Sequence, residues 1–169
     1  MTWYENGELV KFLIEAEKNT WLGKMGNVEP PFLLGAHQYQ YKNDFGFYRD
    51  IFFGEAVIAG IEIIQSSGED RPKWSRCYSG GFVRVVNEDL RKKVNEFLRL
   101  ARRKFLDSLS GFGTYYRASL FSLSDEAGLY YLRMQQQKLE VFAGAFHELE
   151  KIVYHGALIH ILAFDSRLL

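Results

Sequence analysis

The chain has 169 residues, and its 21 Lys+Arg balance 21 Asp+Glu, so it carries no formal net charge at pH 7. That length suits one domain with its own core, and neutrality removes any general electrostatic pull toward nucleic acid or an anionic membrane. The single cysteine, Cys77, excludes an internal disulfide; with no basic-then-apolar leader and no apolar run near the ~20 residues of a membrane span, the expected location is the reducing cytoplasm.

Residues 6–18 read as a helix. Asn6 can cap it by accepting from a free N–H of the first turn, and Leu9, Phe12, Leu13 and Ala16 fall on one face at helical spacing. Residues 23–35 contain Pro30-Pro31 and three glycines, which reads as a surface loop. Residues 37–41 alternate and lead into Lys42-Asn43-Asp44-Phe45-Gly46, a hairpin signal, with 47–53 as the return strand. Residues 57–65 form a third strand, so apolar that burial on both faces is expected, and 73–83 a fourth, interrupted at Gly80-Gly81. Asn87 caps a long second helix, with Glu88 and Asp89 in the first turn, where the helix dipole favours acids. Its apolar stripe runs from Leu90 through Val94, Leu98, Ala101 and Phe105 to Leu109, and Ser110-Gly111 stops it. Residues 115–123, 129–135, 139–146 and 151–164 read as four more strands.

The order is one helix and four strands, twice. Two local matches suggest a duplication within a single domain spanning 1–169, with halves 6–84 and 87–164: Ile58-Ala59-Gly60 with Phe142-Ala143-Gly144, and residues 78–83 with 154–159. The expected class is α+β: two related α-β-β-β-β halves giving a mainly antiparallel sheet, with two principal helices packed on one face. By analogy, a sheet curved around its helices leaves a cleft between the copies.

Several groups of residues recur in an order that resembles a known family: Phe12-Leu13-Ile14-Glu15-Ala16 with Thr20-Trp21-x-Gly23, Tyr48-x-Asp50 with Gly54, Ala59-Gly60-x-Glu62, and Pro72-x-Trp74-Ser75 with Tyr78-Ser79-Gly80. They are similar to an uncharacterised bacterial and archaeal domain family of unknown function. Some of its members follow an N-terminal helix-turn-helix in transcription regulators. Tyr154-His155-Gly156-x-Leu158-Ile159 resembles the family's closing motif. The likeness covers residues 9–84 and the last strand; this chain has Ser110-Gly111-Phe112-Gly113 where the family has Arg-Gly-Pro, and Phe146 where an acid equivalent to Glu62 is expected. The resemblance implies a sensor-like or ligand-binding domain without established chemistry.

Glu62 is the most informative polar residue, because a carboxylate inside the run Val57–Ile64 is costly unless paired or protonated. It reads as a ligand-binding carboxylate or as half of a structural ion pair. Asp50 shares strand parity with Tyr48 and Phe52 and approaches Glu62 if their strands pair. Such a pair fits hydrolytic acid–base work or simple retention by Arg49, Arg76 or a backbone N–H. Aromatic residues make up 16% of the chain, and Trp74, Tyr78, Trp21, Tyr39 and Tyr41 line a pocket or fill the core. His155 reads as a pocket base or a satisfied core residue. His155 and His160 are of opposite strand parity and His147 lacks a partner at helical zinc spacing, so no metal site is assigned. Cys77 reads as a buried, inert strand cysteine that could act as a nucleophile only with a nearby base, and no glycine pattern fits a phosphate loop. On the second helix, Lys92, Arg99 and Arg103 lie opposite the apolar stripe and read as a solvated basic face.

The preferred reading is a non-enzymatic small-molecule-binding or sensing module. Its ligand-binding residues would be Glu62, Asp50, Tyr48, Trp74, Tyr78 and His155, with no cofactor, no membrane and no nucleic-acid partner expected. The alternatives are a small hydrolase or isomerase using Asp50 and Glu62, and an interaction domain that homodimerises through a sheet edge or the second helix.

Overall fold

A computed structural model describes residues 7–23, 30–110, 120–137 and 146–168. The elements are α1 (Gly7–Asn19), β1 (His37–Lys42), β2 (Gly46–Phe53), β3 (Val57–Ser66), β4 (Trp74–Phe82), α2 (Glu88–Ser110), β5 (Leu120–Ser124), β6 (Leu129–Gln137), β7 (Phe146–Tyr154) and β8 (Ala157–Leu168). All eight strands join one sheet in the order β1-β2-β3-β4-β8-β7-β6-β5, and every neighbouring pair is antiparallel. Two four-stranded meanders therefore meet at the centre, where β4 and β8 pair from Trp74↔Leu168 to Phe82↔His160.

The α+β expectation is corrected: this is a mostly-β fold, with two helices serving one eight-stranded sheet. The two α-β-β-β-β units do not stand side by side as helix-and-sheet halves; pairing of β4 with β8 merges their strands into a single dominant layer. On α1, Leu9, Phe12, Leu13 and Ala16 are almost wholly buried and pack with Tyr48, Ile64 and Trp74 of the sheet. On α2, Val94, Phe97, Leu98 and Ala101 pack with Tyr131 and Ile152. Each fully buried side chain of this size contributes roughly 1.5–3 kcal/mol. Asn87 caps α2, its side-chain oxygen accepting from the Leu90 N–H at 2.9 Å. The two helices are tied by Lys18 and Asp107 at 2.6 Å. No helix among the described residues is long and apolar enough to cross a membrane.

Helices cover only one face of the sheet, so β3 is not buried on both sides. Val57 is 65% and Ile61 40% exposed, while Glu62 and Ile64, on the opposite parity, are buried. The expected strands at 139–146 and 151–164 are also redrawn. β7 and β8 turn at His155-Gly156, where His155 takes φ 46° and Gly156 φ 80°. The left-handed conformation of these two residues reverses the chain inside what reads as one alternating run. The two proposed repeat matches gain no support. One sets β4 residues against that turn, and the other falls on residues 142–144, which lie outside the described residues, as do Asn6 and the expected strand segments 115–119 and 139–145.

Candidate functional site

Strand register builds a row of ionisable groups on the helix-covered face. Asp50 of β2 lies directly opposite Glu62 of β3, which lies opposite Arg76 of β4. Period-two alternation puts Tyr48 and Tyr78 on the same face, one step to either side. All five side chains are buried. Arg76 donates from Nε to Glu62 at 2.8 Å and reaches across to Glu17 on α1. Its guanidinium lies over the rings of Phe164, at 4.9 Å, and Trp74, at 5.4 Å. Asp50 accepts from the Tyr78 hydroxyl at 2.7 Å.

The electrostatics follow from the shortage of water. Burial pushes the Asp50 carboxyl up to about 6, although the Tyr78 hydroxyl and Arg76 act against the rise. Burial pushes Glu62 up to about 8; Arg76 opposes this, and the neighbouring carboxylates Asp50 and Glu17 reinforce it. The same burial raises the Tyr78 phenol, so it keeps its proton and donates. His160 is driven down to about 4 by burial and is neutral near pH 7.

Farther along the same face a second cluster is better balanced. Arg102 of α2 grips Glu150 of β7 with Nε at 2.8 and 2.9 Å from its two oxygens. Arg133 of β6 donates to Glu150 at 2.8 Å and also binds Glu148. Burial works against the Glu150 charge, yet Arg102 and Arg133 hold its carboxyl down to about 2.

Above the first row the helices leave a gap. A cavity of about 60 Å³ is walled by Asp50, Glu62, Glu17, Tyr48, Tyr78 and Phe164, among others. That is well above the roughly 10–15 Å³ that admits a single water. Trp21, Phe52, Ile58, Leu98 and His160 belong both to this cavity and to a wider, more open pocket of about 290 Å³. The wider pocket passes Tyr39 and the β2–β3 turn at Gly54-Glu55-Ala56, and is bounded by Asn95 and Arg99 of α2. The two adjoin like the parts of a funnel, with Trp21, Phe52, Ile58, Leu98 and His160 between them and the acids on the inner side.

Gly60 keeps the floor in order. It pairs with Phe52 on one side and Tyr78 on the other, and a Cβ there would lie 2.6 Å from the Tyr78 hydroxyl and 2.7 Å from the Ile51 carbonyl oxygen. Gly60→Ala should therefore push Tyr78 off Asp50 and lower stability by roughly 1–3 kcal/mol, the usual cost of overpacking. A urea midpoint unchanged from wild type would show that the ring relocates freely.

Of the residues singled out from sequence, Asp50, Glu62, Tyr48 and Tyr78 come together on the cavity wall. Trp74 does not line it; it is 1% exposed beneath α1, in the same core cluster as Phe12 and Leu13. His155 is separate again, exposed in the β7–β8 turn with its ring 4.2 Å from that of Tyr154. Cys77 is exposed on the opposite face of the sheet. Sequence reading missed Glu17, Arg102 and His160, all of which line the cavity. A signal was present: Glu17 is four residues from Leu13, and Arg102 four from Leu98, so each continues an apolar stripe. His160 likewise shares strand parity with Leu162 and Phe164. Among the described residues no group of three His, Cys, Asp or Glu side chains could hold a metal ion.

These features define a mostly-β domain whose helix-covered face carries a buried, ionisable cleft. The chain belongs to the DUF5680 family, a domain of unknown function, whose family model matches residues 50–168. The match begins at Asp50 and takes in Glu62, Tyr78, Arg102 and His160, while Glu17 and Trp21 fall before it. No curated protein and no solved structure matches the chain.

Proposed function

We propose that this domain is a small-molecule-binding module of the sensing kind, taking its ligand into the funnel between α2 and the β1–β4 half of the sheet. The observation that carries the reading is adjacency: the acidic inner cavity and the open outer pocket share Trp21, Phe52, Ile58, Leu98 and His160 as walls. A mostly apolar concavity with a few converging polar groups is the usual form of a ligand site. Buried carboxylates with raised pKa values beside a cavity, as Asp50 and Glu62 are, are a recurrent feature of such sites.

The test is a metabolite screen read by thermal melting, run on wild type and on Ile58→Trp, which fills the neck. A ligand at a hundred times its Kd stabilises by about 2.7 kcal/mol, a melting rise of roughly 5–10 °C for a chain of this size. The rise should vanish in Ile58→Trp, and mass spectrometry should recover the ligand unaltered. A hit that stabilises Ile58→Trp equally would place binding elsewhere, and turnover of the hit would make the domain an enzyme.

A further inference from the structure

Among the described residues, the cavity side of the interior is short of positive charge. Glu17, Asp50 and Glu62 all line the cavity. Arg76 serves two of them, pairing with Glu62 at 2.5 Å and with Glu17, and Asp50 accepts from the neutral Tyr78 hydroxyl. Arg102 also lines the cavity, but its guanidinium is committed to both oxygens of Glu150. The neighbouring cluster thus sets Arg102 and Arg133 against Glu148 and Glu150, two against two. Among the described residues, the cavity cluster sets Arg76 against three carboxylates, with Arg102 acting on Asp50 only from its place on Glu150.

Two further observations point toward a ligand. The walls are aromatic, with Trp21, Tyr48, Phe52, Tyr78 and Phe164 around the acids, and aromatic faces attract cations. His160, only 4% exposed, borders both the cavity and the outer pocket, and its Nδ1 has no hydrogen-bond partner. It is a buried polar atom left over beside the neck, and a neutral one that adds no positive charge.

Building on the binding role proposed above, we infer that the pocket takes an organic cation, with a compact ammonium head seated against Asp50 and Glu62 among the aromatic rings and an apolar body lying through the neck into the outer pocket. Uncompensated buried carboxylates are costly, and a cation supplies both the missing charge and contact with the rings. In the free protein, protons fill this role, which is why burial holds Asp50 up to about 6 and Glu62 up to about 8. Binding a cation then expels a proton from the pair. The groups facing these carboxylates are Glu17 from α1, Arg102 from α2, Tyr39 and Tyr48 from β1 and β2, Arg76 and Tyr78 from β4, and His160 from β8. The arginines stay charged and the tyrosines and His160 stay neutral from pH 6 to 8.

The experiment uses three probes on one frame: 2-phenylethylammonium, 2-phenylethanol and 3-phenylpropanoate, each titrated calorimetrically into the intact chain. The ammonium should bind at least about tenfold more tightly than the alcohol, a 1.4 kcal/mol margin, and the carboxylate most weakly. Ammonium affinity should rise from pH 6 to 8 while alcohol affinity does not. Glu62→Gln should narrow the ammonium's margin over the alcohol and remove its rise between pH 7 and 8, and the double change with Asp50→Asn should bring the ammonium down to the alcohol's affinity. Alcohol or carboxylate binding as tight as the ammonium would overturn the cation inference and leave the pocket reading intact. Failure of all three to bind would also overturn it; the screen on Ile58→Trp then judges the pocket reading by itself.

Discussion

Arg133→Met should lower the unfolding free energy by roughly 3–5 kcal/mol, the usual cost of removing one partner from a buried ion pair. Arg133 is 3% exposed, binds Glu148 and Glu150, and lies over the rings of Phe105, at 4.3 Å, and Phe164, at 5.4 Å. Methionine restores much of the hydrocarbon but none of the charge, leaving two carboxylates of β7 to share Arg102. At 2–4 °C per kcal/mol for a domain of this size, the melting temperature should drop by roughly 10 °C. Lys18→Met is the control: Lys18 pairs with Asp107 at 2.6 Å, but the side chains are 32% and 58% exposed and reach water, so its loss should barely move the midpoint. Equal effects from the two variants would show that the interior cluster is solvated and contributes little. That result would also weaken the contrast between a balanced cluster and an acid-rich one on which the choice of ligand rests.

Much of this arrangement could be read from the chain, but unevenly. Alternation at Tyr48, Asp50 and Phe52 gave their common face, and Asn87 marked where α2 begins. The meeting of Asp50 with Glu62 depended on β2 and β3 being neighbours in one particular register, which a short hairpin loop makes reachable and alternation constrains. The charged residues were harder. Glu17 and Arg102 sit in helical stripes that hydrophobicity alone describes as broken, since a long charged side chain in such a position can be either a rim residue or half of a buried pair. Only the partner distinguishes these, and the partners, Arg76 and Glu150, come from distant strands. The histidines were exchanged for a local reason. The turn at His155-Gly156 has no Asn-Gly or Asp-Gly signature, so residues 151–164 read as one strand, and His155 was assigned a place that the structure gives to His160. The eight strands were legible, but two separate four-stranded units suggested α+β, whereas β4 and β8 pair and merge them into one dominant sheet.

Between pH 6.5 and 8 the wild-type protein should lose stability, and Glu62→Gln should not. Glu62 has an ordinary value near 4.5 and is held at about 8 in the fold. Between those limits the native state keeps a proton that the unfolded chain has released. Stability from this group is therefore complete below about 4.5 and is lost as pH rises through 8, at up to about 1.4 kcal/mol per pH unit. Asp50 acts in the same direction between 3.8 and about 6. Two groups oppose them at lower pH. His160, lowered from 6.5 to about 4, and Glu150, lowered from 4.5 to about 2, are both protonated in the unfolded chain before they are in the fold, so each adds stability as pH rises through its range. Above 6.5 these opposing contributions are exhausted and Glu62 governs the slope. Across that window the loss should be about 2 kcal/mol, read as a falling urea midpoint between buffers at either end. The amide introduced by Glu62→Gln can still accept from Arg76 through its oxygen, yet it has no proton to lose, so the variant's curve should be flat there and cross above the wild type by pH 8. Parallel curves would mean that Arg76 keeps Glu62 ionised throughout. The cavity would then already hold its compensating charge, and a ligand cation would have no proton to displace from that residue.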